Sequence, residues 1–121
     1  MARDLTARDV RLVNLTPHEV IVESGGDTAV VVPVGGPPAR VKERVERTKA
    51  VQTQVGLVPV VTVLPGAVEG LPEPADATLY LVSSLVAAAQ PHRQDLLTPY
   101  DVIRDEAGRI LACRALARRR V

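Results

Sequence analysis

Aromatic residues are almost absent from this sequence. It contains no phenylalanine and no tryptophan, and its two tyrosines are Tyr80 and Tyr100. Proteins that hold single-stranded nucleic acid usually stack the bases on aromatic side chains. Binding of duplex phosphate requires an excess of positive charge. The sequence has almost none, because it contains 15 basic and 14 acidic residues. Nucleic acid is therefore not an expected partner.

Cysteine and long apolar runs are scarce as well. Cys113 is the single cysteine, so the chain can form neither an internal disulfide nor a cysteine cluster for zinc. We expect the Cys113 side chain to be buried as a small apolar group. No apolar run approaches the roughly 20 residues of a membrane helix, and the N-terminal residues lack the apolar core of a signal peptide. We expect a cytoplasmic protein that makes no membrane contact.

Valine, leucine and alanine supply most of the apolar content, which is 46% of the residues. Valine suits the half-buried surface of a strand because its side chain is stiff. A chain of 121 residues has the length of one domain, and we expect a single domain over residues 1–121 with a basic C-terminal tail at 117–121. The fold class predicted is mainly β with one short helix (α+β), as a small antiparallel sheet or a partial barrel.

Apolar patterns place the predicted strands, and glycine-containing turns join them. Strands are predicted at residues 10–15, 18–23, 28–34, 51–54, 57–63, 79–82, 102–104 and 109–116. Turns at 24–27, around Gly56 and at 105–108 would make hairpins, and the proline and glycine residues of 64–77 indicate a loop. Residues 39–47 alternate like a strand but are rich in helix formers, so a short helix is the alternative there.

The segment 79–95 is the most informative part of the chain. A buried-strand pattern, with Leu79 and Val82 as predicted core residues, runs through two serines into a helix pattern that Pro91 ends. The free N–H groups and partial positive charge of a helix start can bind an anion, and arginine can hold phosphate bidentately. The predicted ligand-binding residues are Ser83, Ser84, His92, Arg93, His18 and Arg114. An ordinary capped helix is the alternative.

Catalytic and metal chemistry have weaker support. A metal site would need His18, His92 and a carboxylate such as Asp95 or Asp101 to converge. A serine hydrolase would use Ser83 or Ser84 with one of these histidines as base and one of these carboxylates to orient it, but the sequence lacks the Gly-x-Ser-x-Gly turn. It also lacks a glycine-rich phosphate loop. No catalytic residue, metal ligand or cofactor is therefore predicted.

Four segments together form a pattern across most of the chain. They are Asn-Leu-Thr-Pro-His at 14–18, Gly-Leu-Pro-Glu-Pro at 70–74, Tyr-Leu-Val-Ser at 80–83 and Arg-Asp-Glu-Ala-Gly-Arg-Ile at 104–110. This pattern resembles that of a family of small proteins from actinobacteria and their bacteriophages. The resemblance implies a phage or mobile-element context, and it assigns no role to any residue because the family has no established activity.

Two functions are compatible with these observations. The first is a non-enzymatic binding protein for a small anionic or nucleotide-like ligand, such as a phage protein that sequesters a host signal. The second is a structural or protein-interaction module, such as a phage accessory or virion component. A homo-oligomer is expected, because a short chain with few aromatics buries little area and gains more by pairing with a second subunit.

Overall fold

The structure is a computed structural model in which residues 9–23, 25, 28–64 and 66–119 are described. Twelve strands and one helix occur in these ranges. In chain order they are β1 (Arg11–Asn14), β2 (Val20–Glu23), β3 (Ala29–Val32), β4 (Arg40–Val41), β5 (Arg44–Arg47), β6 (Val51–Thr53), β7 (Gly56–Val58), β8 (Val61–Leu64), β9 (Val68–Glu69), β10 (Thr78–Leu81), α1 (Ser84–Ala89), β11 (Leu96–Arg104) and β12 (Ile110–Ala117).

Six strands form one nearly closed, barrel-like sheet in the order β1-β10-β11-β12-β2-β3. An isolated bridge from Asn14 to Val34, just after β3, brings the two edges of the sheet together. The prediction of a mainly β fold with one short helix in a partial barrel is confirmed. The sheet is mixed rather than antiparallel, however, because β1–β10, β10–β11 and β12–β2 are parallel pairs.

The antiparallel expectation was wrong for β10 and β11 because a helical crossover joins them and makes them parallel. Parallel neighbours need a crossover connection, usually a helix, and α1 supplies it between these two strands. The sequence pattern revealed the strand and the helix but placed the next strand at 102. That strand starts at Leu96, and Pro99 within it concealed its first half.

The strand-to-helix transition at Ser83 is confirmed. Ser83 is the N-cap of α1, and its hydroxyl accepts the N–H of Val86 at 3.3 Å. Val82 is fully buried, as predicted, whereas Leu79 is only half-buried. The helix packs against the sheet through a buried cluster that comprises Leu15, Ala39, Tyr80, Val82, Val86, Ala87 and Leu96.

Residues 40–69 form a long β-hairpin arm outside the barrel. Its strands pair in nested antiparallel fashion, β4 with β9 at the base, then β5 with β8, then β6 with β7 at the tip. The strand interpretation of 39–47 is thus confirmed. The predicted strand 57–63 is two strands separated at Pro59, and the predicted loop contains the short β9. A Cβ at Gly66 would clash with the carbonyl oxygen of Lys42, so glycine permits the close approach at the base.

Two further turns were predicted, at 24–27 and at 105–108. β2 and β3 pair antiparallel from Glu23 to Ala29, but Ser24, Gly26 and Asp27 of the predicted turn lie outside the described residues. Gly108 supplies the left-handed residue of the β11–β12 turn, with a φ of 83°. β12 extends to Ala117, the first residue of the predicted tail, and residues 120–121 lie outside the described part.

The described part of the chain contains no helix with the length and apolar character that crossing a membrane requires.

Candidate functional site

A cleft of about 500 Å³ lies between the start of β2, the N-terminus of α1 and the β11–β12 hairpin. His18, Ser83 and Ser84, three of the six predicted ligand-binding residues, line it. The apolar side of the cleft is lined chiefly by Ile21, Val102, Ile110, Leu111 and Ala112. This cleft is the candidate functional site, since it gathers more of the predicted residues than any other place among the described ones.

Asn14 holds one wall of the cleft in place. Its carboxamide nitrogen donates to the carbonyl oxygens of His18 at 2.9 Å and Val32 at 3.0 Å. Its oxygen accepts the backbone N–H of Thr16 at 2.9 Å and the Thr16 hydroxyl at 2.7 Å. The Asn14 side chain is fully buried, so its four bonds fix the turn that carries His18. Sequence reasoning missed this residue, although a polar side chain at the end of an apolar strand was a signal.

The polar side chains of the cleft differ in whether they already have a hydrogen-bond partner. The Ser83 hydroxyl accepts the backbone N–H of Val86 as the helix cap. The side chains of His18, Glu19 and Ser84 are exposed and make no hydrogen bond or ion pair with the described residues. Three polar side chains that have no partner among the described residues therefore lie beside a mostly apolar surface.

The electrostatics of the cleft do not favour an anion. Neither lysine nor arginine occurs among the described residues that line it, and Glu19 is the charged side chain present. A phosphate would meet that carboxylate without a compensating cation, and the six-residue helix offers little dipole to replace one. The geometry favours an apolar group that carries a neutral or positive polar end.

Arg93 lies elsewhere, at the C-terminal end of α1. It donates to both carboxylate oxygens of Asp95 at 2.8 Å and to the carbonyl oxygen of Pro72 at 3.0 Å. It lines a separate cavity of about 450 Å³ with Gln90 and Pro91. Three of its five N–H donors are engaged, and they join the 66–77 segment to the start of β11. Arg93 therefore acts as a structural clamp.

The remaining predicted residues also lie apart from the cleft. His92 is exposed in the turn after α1. Arg114 is exposed on β12, 3.5 Å from the Asp101 carboxylate. No group of three histidine, cysteine or acidic side chains in the described ranges converges in a way that could hold a metal ion. Cys113 is buried, and its thiol lies 3.6 Å from the carbonyl oxygen of Ile21.

Asp95 gives the clamp a pH dependence. The hydrogen bonds from Arg93 hold the pKa of the Asp95 carboxyl below its ordinary value, against the opposing effect of burial. The same hydrogen bonds raise the pKa of Arg93. Because the folded pKa of Asp95 lies below the unfolded one, the pair stabilises the protein fully above the unfolded value, about 3.9. This stabilisation is lost as the pH falls through the lowered folded pKa.

The Arg93→Ala variant is expected to lose about 2 kcal/mol of unfolding free energy at neutral pH. Both side chains of the pair are 16% exposed, which places the effect between about 1 kcal/mol for a surface pair and about 3 to 5 kcal/mol for a buried one. Urea unfolding at pH 7 and at pH 3 measures it, and the deficit should shrink at the lower pH. Arg109→Ala, which breaks a pair with an 81% exposed arginine, is the control with a smaller expected effect. An equal loss in both variants would contradict the clamp.

Comparisons of this chain with protein-family models, with curated proteins and with solved structures find no match.

Proposed function

We propose that this chain is a protein-interaction module that works as a homo-oligomer, with the β arm of residues 40–69 as its contact surface. The observation that carries this proposal is the distribution of exposed apolar side chains. Of the fifteen exposed large hydrophobic residues described, eight lie on the arm: Val45, Val51, Val55, Leu57, Val58, Val60, Val61 and Val63.

Beyond its base, the arm has no substantial packing partner in the described part of the chain. The four strands β5 to β8 pair with one another and make no substantial packing contact with any other described element. All four residues of β5 are exposed. A two-stranded ribbon is at best marginally stable in water and needs a further strand or a packed face. A second protein surface would supply that face.

The energetics favour reciprocal contact between two copies. Full burial of a side chain of this size contributes about 1.5 to 3 kcal/mol. The arm side chains are roughly half-exposed, so one arm can contribute on the order of 8 kcal/mol. Association costs about 4 to 15 kcal/mol. One arm roughly balances that cost, whereas the two arms of a symmetric dimer exceed it.

The paired strands β5 and β8 of the arm differ in charge, and this difference limits how the arm can associate. β5 carries Arg44, Glu46 and Arg47, whereas β8 has no charged residue. Charged side chains on an exposed strand deter uncontrolled edge pairing. The arm therefore suits contact through its faces with a specific partner. A phage accessory or virion component, the context that the sequence resemblance implies, would use such a self-assembling surface.

Replacement of four arm valines by threonine is expected to dissociate the oligomer. Threonine keeps the β-branched shape and the strand preference of valine but adds a hydroxyl that disfavours burial. For the Val45→Thr, Val51→Thr, Val61→Thr and Val63→Thr quadruple variant we expect a dimer Kd weaker by at least about 100-fold. Light scattering over a concentration series measures it, starting from a wild-type mass that is a multiple of 12.9 kDa.

A double valine-to-threonine variant on β3 is the control. Val30 and Val31 are 53% and 52% exposed, which is close to the exposure of the arm valines, but they belong to the barrel. Val30→Thr with Val31→Thr should leave the mass unchanged. A monomeric wild-type protein at tens of micromolar, or equal dissociation in both variants, would refute the role of the arm.

Binding of a small ligand is the second candidate function, because the cleft exposes His18, Glu19 and Ser84, whose side chains have no partner in the described ranges. The proposal of an anionic or nucleotide-like ligand now rests on the His18 imidazole and the serine hydroxyls alone. The described lining holds no lysine or arginine, and His18 is the one side chain in it on which a base could stack. A ligand with an apolar body fits the lining better.

A further inference from the structure

We infer that the cleft is filled by the arm tip of a second copy of this chain, with Val55 and Leu57 seated on its apolar side. This inference rests on the proposed function, and it adds the place where the arm docks. Two apolar surfaces that are exposed in the described part of the chain, the arm tip and the hairpin wall of the cleft, would then cover each other.

The tip is held in shape before any contact. Thr53 accepts the backbone N–H of Val55 at 3.2 Å with its hydroxyl oxygen, and it donates to the carbonyl oxygen of Gly56 at 2.8 Å. Gly56, with a φ of 126°, provides the left-handed residue that the turn needs. Val55 is 81% exposed and Leu57 66% exposed. A rigid turn thus presents two large apolar side chains, which reduces the entropy lost on docking.

The cleft is suited to receive such side chains. Its volume of about 500 Å³ can accommodate several apolar side chains, and the wall that the β11–β12 hairpin forms is apolar. Ile110 and Leu111 on that wall are 59% and 54% exposed, so the wall itself lacks cover. Docking of the tip would remove apolar surface from water on both partners at once.

Charge is complementary between the two surfaces. No acidic residue occurs from 47 to 64 in the arm, and Arg47 and Lys49 flank its outer strands. The cleft has Glu19 as its charged lining residue and no described cation. Lys49 lies about 20 Å of extended strand from Val55, so it does not pair with Glu19 once the tip is seated. The opposite signs of charge favour the approach of the arm to the cleft and disfavour its binding at basic surfaces.

The occupant must come from another copy. Arg40 and Val41, at the base of the arm, line a cavity that shares Pro17 and Ser83 with the cleft. The base therefore lies beside the cleft of its own chain. At about 3.3 Å per residue, the strands from the base to the tip have a total length of roughly 40 Å, and β6 and β7 make no substantial packing contact with the described barrel strands or with α1. Exchange of arms about a two-fold axis fills both clefts and closes the assembly.

Cross-linking between two different single-cysteine variants tests the docking. In a Cys113→Ala background, Val55→Cys is mixed with Ser84→Cys, which carries an affinity tag so that the mixed species has its own mass. Ser84 is exposed and lines the cleft. The short cross-linker bismaleimidoethane is added, and the products are weighed by mass spectrometry. A link between the two variants can only join separate chains.

The control pairs Val55→Cys with Val31→Cys, because Val31 is exposed but does not line the cleft. We expect at least a five-fold higher yield for the Ser84 pair, and we expect Leu57→Asp to abolish both that link and the dimer. Equal yields in a protein that light scattering shows to be dimeric would overturn the docking site but leave the interaction module standing. A monomeric wild type would overturn both. A small molecule retained in the cleft, with no effect of Leu57→Asp on mass, would overturn the docking in favour of a ligand.

Discussion

The Val82→Asp variant is expected not to fold. Val82 is fully buried in the cluster that joins α1 to the sheet. A carboxylate there would find no cation within the cluster, whose members are all apolar or tyrosine. Burial of an unpaired carboxylate, or of its protonated form without hydrogen-bond partners, costs several kcal/mol, which is comparable to the whole stability of a domain, about 5 to 15 kcal/mol. Circular dichroism and the dispersion of amide signals in a proton–nitrogen spectrum measure the loss.

Leu85→Asp is the matched control, because the same carboxylate is placed three residues further along the chain on α1. Leu85 is 70% exposed, so the charge stays hydrated, and a carboxylate in the first turn of a helix is mildly favourable. We expect this protein to keep its fold and a melting temperature within a few degrees of wild type. A folded Val82→Asp protein would show that α1 does not cover the sheet as described.

The Asn14→Ala variant is expected to lose about 3 to 5 kcal/mol of unfolding free energy. The substitution removes four hydrogen bonds and leaves the carbonyl oxygens of Val32 and His18 without the Asn14 donor. Each buried group left unsatisfied costs about 1 to 3 kcal/mol. Because the Val32 bond joins the two edges of the barrel, hydrogen exchange should also accelerate in β1 and β3. Urea unfolding followed by circular dichroism gives the free energy.

Thr16→Val separates the role of Asn14 from that of its neighbour. Thr16 is only half-buried, and its hydroxyl makes just one of the four bonds to the Asn14 side chain. We expect a loss of about 1 kcal/mol or less. If Asn14→Ala were no more damaging than Thr16→Val, the carboxamide would not be what closes the barrel.

Local patterns in the sequence were enough to predict the elements around Ser83. The apolar run to Val82, the capping serine and Pro91 act on neighbouring residues, so their effect does not depend on the rest of the chain. The same holds for Gly108 in its turn. Strand alternation at 39–47 also prevailed over helix propensity, since β4 and β5 form there.

The partners of each strand could not be read from the sequence. Strand order depends on contacts between residues far apart in the chain, such as β1 with β10 and β12 with β2. Pro59 and Pro99 further hid strand boundaries, because proline disfavours a central strand only when its missing N–H is needed by a neighbour.

Composition and local pattern alone determined a mainly β chain with a capped helix after Ser83, because propensity, capping and turn chemistry act between adjacent residues. Only the tertiary structure decided the use of each polar side chain. His18 and Ser84 both line the cleft, whereas Arg93 is bonded to Asp95 and Pro72 at the other end of α1. The exposure of the arm valines could also be learned only from the tertiary structure. A strand whose apolar face is covered and a strand whose apolar face is exposed can have the same alternating sequence.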